Sequence, residues 1–169
     1  MAQLNIDGRT ALYASIGQNI SISPIAGLFN AISGHIGYNS VMLPYETEKD
    51  NLLMTLDALR LLNYKGAFID TPYRCNMDSQ LVSQTDEANT CEAVNVVQLH
   101  SDGLHGHNTE CSAFSKAFPL ITGEKLDGKK IFLIGAGGIA RAIAIACARQ
   151  GCETLTIANR NPEKANMLS

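Results

Sequence analysis

The residues of this chain best suited to chemistry lie in Gly135-Ala136-Gly137-Gly138-Ile139-Ala140, where Gly135, Gly137 and Ala140 fill the small positions of a G-x-G-x-x-G/A turn. The first glycine permits a tight bend, the second lets backbone approach a pyrophosphate, and the third small residue lets helix and strand pack closely. Helix-terminal amides then hold the diphosphate. Beyond the alanine-rich stretch that follows, Asn159 and Arg160 stand where an NAD-binding unit carries an acid for the ribose hydroxyls, and Lys164 comes four residues after Arg160. Two cations at that place favour the 2′-phosphate of NADP. The same residues also have a purely structural reading, as a glycine turn between strand and helix with two solvated charges after it.

A second candidate is Ser21-Ile22-Ser23-Pro24. Serine can cap the free amides of a helix, and proline is tolerated at its first position. Two hydroxyls beside such amides form an anion site, although Ser23-Pro24 alone is what a cap requires and only Ser21 exceeds it. His105 and His107 share one face of a strand-like segment at a spacing two metal ligands can use. No third ligand accompanies them, so no metal site is expected.

The elements that must position these residues alternate between strand-like and helix-like, the pattern of an α/β architecture with helices covering a sheet. Residues 10–16 read as the first strand, and a helix is expected from Ser23-Pro24 to about Ser33, before Gly34. A strand at 40–45 and a helix at 49–62 follow, the latter with Leu52, Leu56 and Leu59 on one face and Asp50, Asp57 and Arg60 off it. Residues 66–70 make a third strand, which Pro72 ends in a turn. Residues 94–99 and 104–107, joined through Ser101-Asp102-Gly103, read as a hairpin, and 109–118 as a helix. A charged, glycine-bounded connection at 123–128 leads to an apolar strand at 131–134, a helix at 139–150 closed by Gly151, and a strand at 153–158. The fold class is therefore α/β, divided near Asn108. An N-terminal three-layer α/β/α domain is expected at 1–108, and at 109–169 the start of a Rossmann βαβ unit, truncated because its further strands would lie beyond Ser169.

Composition bounds the function classes. The 169 residues are 46% hydrophobic and 17% charged, a globular balance, and a net charge of −3 supplies no basic patch for nucleic-acid phosphates. Five cysteines, an odd number without a C-x-x-C pair, fit free thiols in a reducing compartment. No apolar run approaches the length of a membrane span, and Asp7 and Arg9 interrupt any signal-peptide pattern at the start. A cytoplasmic protein with neither nucleic acid nor membrane as partner is expected.

At this point the chain resembles the shikimate dehydrogenase family, over nearly its whole length and with four landmarks in family order. Ser21-Ile22-Ser23-Pro24 looks like the family's Ser-x-Ser-Pro, and Ala93-Val94-Asn95 its Ala-Val-Asn. Gly106-His107-Asn108-Thr109-Glu110 resembles Gly-x-Asn-Thr-Asp, and 135–140 with Asn159-Arg160 resembles the NADP-binding segment. The resemblance implies an N-terminal substrate-binding domain, a Rossmann domain for NADP, and reversible reduction of 3-dehydroshikimate to shikimate between them. By that likeness Ser21 and Ser23 hold the carboxylate of a small hydroxylated ring acid, and Asn95 bonds one of its hydroxyls. Gly135, Ala136, Gly137, Gly138, Ile139, Ala140, Asn159, Arg160 and Lys164 hold NADP, and a homo-oligomer is compatible with the chain.

The departures fall on the chemistry. Phe68-Ile69-Asp70-Thr71-Pro72-Tyr73-Arg74 stands where the family has Asn-Val-Thr-x-Pro-x-Lys, so Arg74 replaces the catalytic lysine and Asp70 a threonine, while Glu110 replaces the partner aspartate. Gly27 and Leu28 stand where the family often has His-Asn. A guanidinium stays charged in proteins, so Arg74 can orient or polarise but not act as base, leaving the proton to Glu110 or water. Arg74 and Glu110 are expected to form an ion pair. Asp70 adds an anion to the substrate residues, which suggests a substrate other than shikimate, or none. The expected function is an NADP-dependent dehydrogenase of this type; the alternatives are a non-catalytic homologue that binds a small carboxylate or nucleotide, and an inactive fragment of such an enzyme.

Overall fold

The computed structural model describes residues 6–75 and 77–168; the outer bounds of the expected domains, 1–5 and 169, lie outside them. The chain forms two compact units, one holding the chain through Gln84 with Asn95–His107, the other Thr85–Val94 with Asn108–Ser169.

The first unit is a six-stranded sheet. Strand β1 (Ala11–Gly17) pairs in parallel with β2 (Ser40–Glu46) on one side and with β3 (Gly66–Ile69) on the other. Helix α1 (Ile25–Ile36) connects β1 to β2, and α2 (Leu52–Leu61) connects β2 to β3. Because β2 and β3 flank β1, right-handed crossovers put α1 and α2 on opposite faces, which makes three layers. The apolar stripe of α2 does what its spacing predicts: Leu52, Leu56 and Leu59 are buried.

Helix α1 outruns its expected end at Ser33. It continues through Gly34 to Ile36 and closes at Gly37, whose φ of 69° is the left-handed conformation glycine adopts freely. A mid-helix glycine costs only about 1 kcal/mol, and side chains on α1 tie it to β2. Asn30 accepts from the Met42 amide at 2.8 Å and donates to the Met42 carbonyl at 3.0 Å, and the buried Ser40 hydroxyl donates to Ser33 Oγ at 2.9 Å.

The sheet is completed by the two-residue β4 (Ser83–Gln84) and by the antiparallel hairpin of β5 (Val96–His100) and β6 (Gly103–His107), in the order β2-β1-β3-β5-β6-β4. The β3–β5 approach is close: a Cβ on Gly66 would lie 3.0 Å from the Val97 carbonyl oxygen.

The second unit holds α3 (Asp86–Cys91), α4 (Glu110–Thr122), β7 (Lys130–Ile134), α5 (Gly138–Arg149), β8 (Thr154–Ala158) and α6 (Pro162–Asn166). Strands β7 and β8 run parallel in full register from Lys130↔Thr154 to Ile134↔Ala158, the βαβ unit that the alternation of elements predicts. The alanines of α5 let helices approach closely, and Ala142 and Ala146 pack with Cys91, Ala93 and Cys111. Helix α3 was not anticipated, because residues 85–91 have no apolar period; instead Thr85 Oγ1 caps it by accepting from the Ala88 amide at 3.3 Å. The chain therefore passes between units after Gln84, Val94 and His107, where the sequence punctuation suggested one division near Asn108. Among the described residues no helix is long and apolar enough to cross a membrane.

Candidate functional site

In the first unit the candidate residues gather at the carboxyl ends of β1 and β3. The connections leaving those strands diverge, and in open α/β sheets ligands sit in the crevice at such a switch point. Gly17 ends β1 against Asp70: a Cβ there would lie 3.0 Å from Asp70 Cβ. The Asp70 amide donates to the Ile16 carbonyl at 2.7 Å and the Gln18 amide to the Thr71 carbonyl at 3.3 Å. These bonds join the loop carrying Ser21 and Ser23 to the loop carrying Asp70 and Arg74.

Asp70 is the hub of this group. Its Oδ2 accepts from Ser23 Oγ at 2.9 Å, and its Oδ1 accepts from the Thr71 amide at 2.8 Å and from Arg74 Nη2 at 3.3 Å. Arg74 is 8% exposed; its Nε donates to the Ile69 carbonyl at 3.0 Å and its Cζ lies 5.3 Å from the Phe68 ring centroid. Arg74 forms an ion pair with its near neighbour Asp70. Ser23 does not cap α1, which has no side-chain cap, a correction to the sequence reading; its hydroxyl makes the stronger charge-assisted bond to Asp70 instead.

Ser21 is exposed in the short 3-10 turn Ile20–Ile22. Asn95 is buried just before β5; its amide donates to the His107 carbonyl at 3.1 Å and its carbonyl accepts from the Ile69 amide at 2.8 Å, so it sits where β3, β5 and β6 meet. Tyr73, between Pro72 and Arg74, lies inside the unit. It is fully buried and its hydroxyl donates to the Thr47 carbonyl at 2.6 Å.

In the second unit, Glu110 opens α4, where the helix dipole favours a carboxylate. Its amide donates to Asn108 Oδ1 at 2.9 Å, and the buried Asn108 donates through Nδ2 to the Ala93 carbonyl at 2.9 Å. Asn108 therefore fixes the turn that presents Glu110. Sequence reasoning passed over it as a site residue, although it lies inside the Gly106–Glu110 motif.

The glycine turn has the shape its spacing predicts. Gly135 has φ of 116°, and its amide donates to the Ala158 carbonyl at 2.8 Å, binding the end of β7 to the end of β8. A Cβ on Gly135 would be 3.9 Å from Ala140 Cβ, and one on Gly137 would enter open space. Helix α5 begins at Gly138 with no side-chain cap, a helix start of the kind that can take an anion, with Ala136, Gly138 and Ile139 in the bend. After β8, Asn159 Nδ2 donates to the Asn161 carbonyl at 2.9 Å, and Asn161 Oδ1 accepts from the Glu163 amide at 2.9 Å and the Lys164 amide at 3.4 Å. That turn leaves Arg160 and Lys164 exposed. The donor set of this unit fits a dinucleotide carrying a 2′-phosphate.

Other chemistry finds less support. Burial pushes the Cys91 thiol up to about 11, with Cys111 adding to the effect, and raises Cys111 and Cys147 too, so the buried thiols are poor nucleophiles. Among the described residues no group of three or more His, Cys, Asp or Glu is placed to hold a metal. His105 bonds Ser83 Oγ through Nδ1 at 2.8 Å and Asp102 through Nε2 at 3.1 Å.

Comparison with known proteins agrees across both units. The family description "Shikimate dehydrogenase substrate binding domain" matches residues 16–97, and "Shikimate / quinate 5-dehydrogenase" matches 119–169. The chain is 31% identical over 168 residues to the shikimate dehydrogenase (NADP(+)) of Caldanaerobacter subterraneus, a match covering 98% of this chain and 59% of that protein. It superposes on the crystal structure of shikimate dehydrogenase from Aquifex aeolicus with a TM-score of 0.89 and 29% identity, covering 97% of this chain and 61% of that one. A 5-ketofructose reductase of Gluconobacter is also similar, with TM-score 0.84 and 26% identity over 96% of this chain and 58% of that one. The chain thus spans about three fifths of the length of the relatives it matches.

Proposed function

The chain belongs to the shikimate dehydrogenase family, and we propose that it supplies the substrate-binding domain and the first part of the cofactor-binding domain of an NADP-dependent oxidoreductase. The reaction interconverts a hydroxyl and a keto group on a hydroxylated ring compound, with shikimate and 3-dehydroshikimate as the reference pair. The observation that carries this reading is the glycine turn of the second unit: Gly135 at φ 116°, an uncapped α5, and the exposed Arg160 and Lys164 after β8. NADP, when bound, supplies or accepts the hydride. The similar ketofructose reductase supports a hydroxylated ketone or alcohol as the kind of compound handled.

The chain's own residues divide the remaining work. Ser21, Ser23, Asp70 and Asn95 bind and orient the substrate from the ends of β1, β3 and β5. Glu110 exchanges the proton of the reacting oxygen, a role its carboxylate can take and a guanidinium cannot. Arg74 holds Asp70 in place through their ion pair. The test is thermal shift of the chain with NADP and NAD, because a ligand of the folded state raises the midpoint. NADP raises it and NAD raises it less. No response to either would overturn the cofactor assignment.

A second reading, a ligand-binding homologue without turnover, is favoured by one observation: Arg74 stands at the lysine position and is buried in an ion pair. It predicts saturable binding with no NADPH formed from NADP and shikimate or quinate.

A further inference from the structure

We infer that the crevice of the first unit selects an uncharged polyhydroxylated compound, of the cyclitol or ketose class, over a ring carboxylate, and that Asp70 sets this choice. The inference rests on the dehydrogenase reading only for placing the substrate at the ends of β1 and β3.

Hydrogen-bond accounting carries it. A carboxylate accepts hydrogen bonds and donates none, so a site for it must offer donors or positive charge. The Ser23 hydroxyl has one hydrogen, and it is given to Asp70 Oδ2 at 2.9 Å. Turning that hydrogen toward a substrate carboxylate would strip Asp70 Oδ2 of this donor and set two carboxylates beside one another, an unfavourable like-charge contact. The positive charge paired with Asp70 is Arg74. Its side chain is 9% exposed, its Nη2 lies on the other Asp70 oxygen at 3.3 Å, and its Nε is on the Ile69 carbonyl. It balances the charge of Asp70 and leaves no surplus for a second anion.

The same arrangement suits hydroxyls. Ser23 Oγ and Asp70 Oδ2 are two acceptors 2.9 Å apart with lone pairs remaining, a spacing that matches two hydroxyl donors on adjacent carbons. The surroundings continue this character. A cleft of about 450 Å³ next along the same loop is lined by Gln18, Asn19, Glu46, Thr47, Glu48 and Asn51, with two carboxylates and no cation. Glu46 Oε1 already accepts from the Asn19 amide at 3.3 Å. Threonine in place of Asp70, as the resembled family has it, would remove the anion and return the Ser23 hydrogen to the crevice.

A matched pair of probes tests this on the full chain: shikimate and its methyl ester, which share the ring and hydroxyls and differ in charge, with fructose as a second uncharged probe. Binding is read by calorimetry and thermal shift. The ester is expected to bind about tenfold or more tightly than the acid, the size of one charge-assisted hydrogen bond made or lost. Asp70→Thr should bring the acid level with the ester or ahead of it. Should that variant fail to fold, Asp70→Asn, which keeps the shape and removes the charge, gives the same comparison. The inference is overturned if the acid binds as well as the ester in the parent chain, or if neither uncharged probe binds. NADP is titrated in parallel: loss of the NADP response would sink the cofactor reading alone, and a reversed acid-to-ester ranking with intact NADP binding would sink this inference alone.

Discussion

Breaking the Asp70–Arg74 pair measures how far the crevice is built around one buried charge. In water, two unit charges at the observed 3.3 Å attract by about 1 kcal/mol, and at an effective dielectric of about 20 by about 5 kcal/mol. Desolvation of both groups opposes this gain. The Arg74 side chain is 9% exposed and that of Asp70 24%, so the pair lies between the surface limit of about 0–1 kcal/mol and a fully buried pair. A coupling of about 1.5–3 kcal/mol follows, the usual range for a hydrogen bond to a charged group.

The cycle uses Asp70→Asn, Arg74→Met and the double variant, so that every other interaction of Arg74 cancels in the coupling energy. All five tyrosines, Tyr13, Tyr38, Tyr45, Tyr64 and Tyr73, lie in the first unit. Tyrosine fluorescence during urea unfolding therefore reports on the unit that holds the pair. The exposed Arg60–Asp57 pair, at 3.5 Å with side chains 33% and 49% exposed, is the control; its coupling should stay below about 0.5 kcal/mol and fade in high salt. A coupling for Asp70–Arg74 no larger than the control would refute the reasoning, because Asp70 would then be free to do without its partner.

Three further outcomes are expected. Gly135→Ala forces a side chain onto φ of 116°, and the NADP-induced rise in melting midpoint should fall as affinity drops about tenfold or more; an unchanged response would place the diphosphate elsewhere. Tyr13 and Tyr64 are raised from 10.0 to about 12, first by burial and then by their hydroxyl partners Tyr38 and Tyr45. The unfolded chain loses those protons first, so the stability they contribute is full below pH 10 and drains away as pH rises toward 12, read by urea midpoints and phenolate absorbance. All five tyrosines titrating together near 10 would contradict this. Finally, the exposed Cys75 should react with maleimide at neutral pH while buried Cys91, Cys111 and Cys147 react only after denaturation.

Much of the architecture follows from short-range pattern. The 3.6-residue stripe Leu52, Leu56, Leu59 and the glycines of 135–140 determine α2 and the β7-α5 turn, because helix burial and a positive φ are properties of a few adjacent residues. The uncapped start of α5 and the exposed Arg160 and Lys164 after β8 follow from equally local pattern. Helix α3 was not, since its stability comes from Ala88 and Cys91 being buried, with Ala93, Cys111, Ala142 and Ala146 packed together on distant parts of the chain.

The crevice of the first unit shows where sequence ends. The residue types at 70, 74 and 110 are visible in the sequence, because side-chain chemistry belongs to the residue itself. What Ser23 does with its one hydrogen is not a local property. A cap bond within α1 and a bond to Asp70, 47 positions away, compete for it, and the winner depends on β1 and β3 lying side by side with Gly17 leaving room for the approach. Tyr73 went the same way, drawn inside by the Thr47 carbonyl. The sequence alone determined most of the elements and the glycine turn after β7; the tertiary structure decided which groups remain donors and which become acceptors in the crevice. That division arises because hydrogen-bond partners are chosen by distance in space, which only the closed sheet fixes.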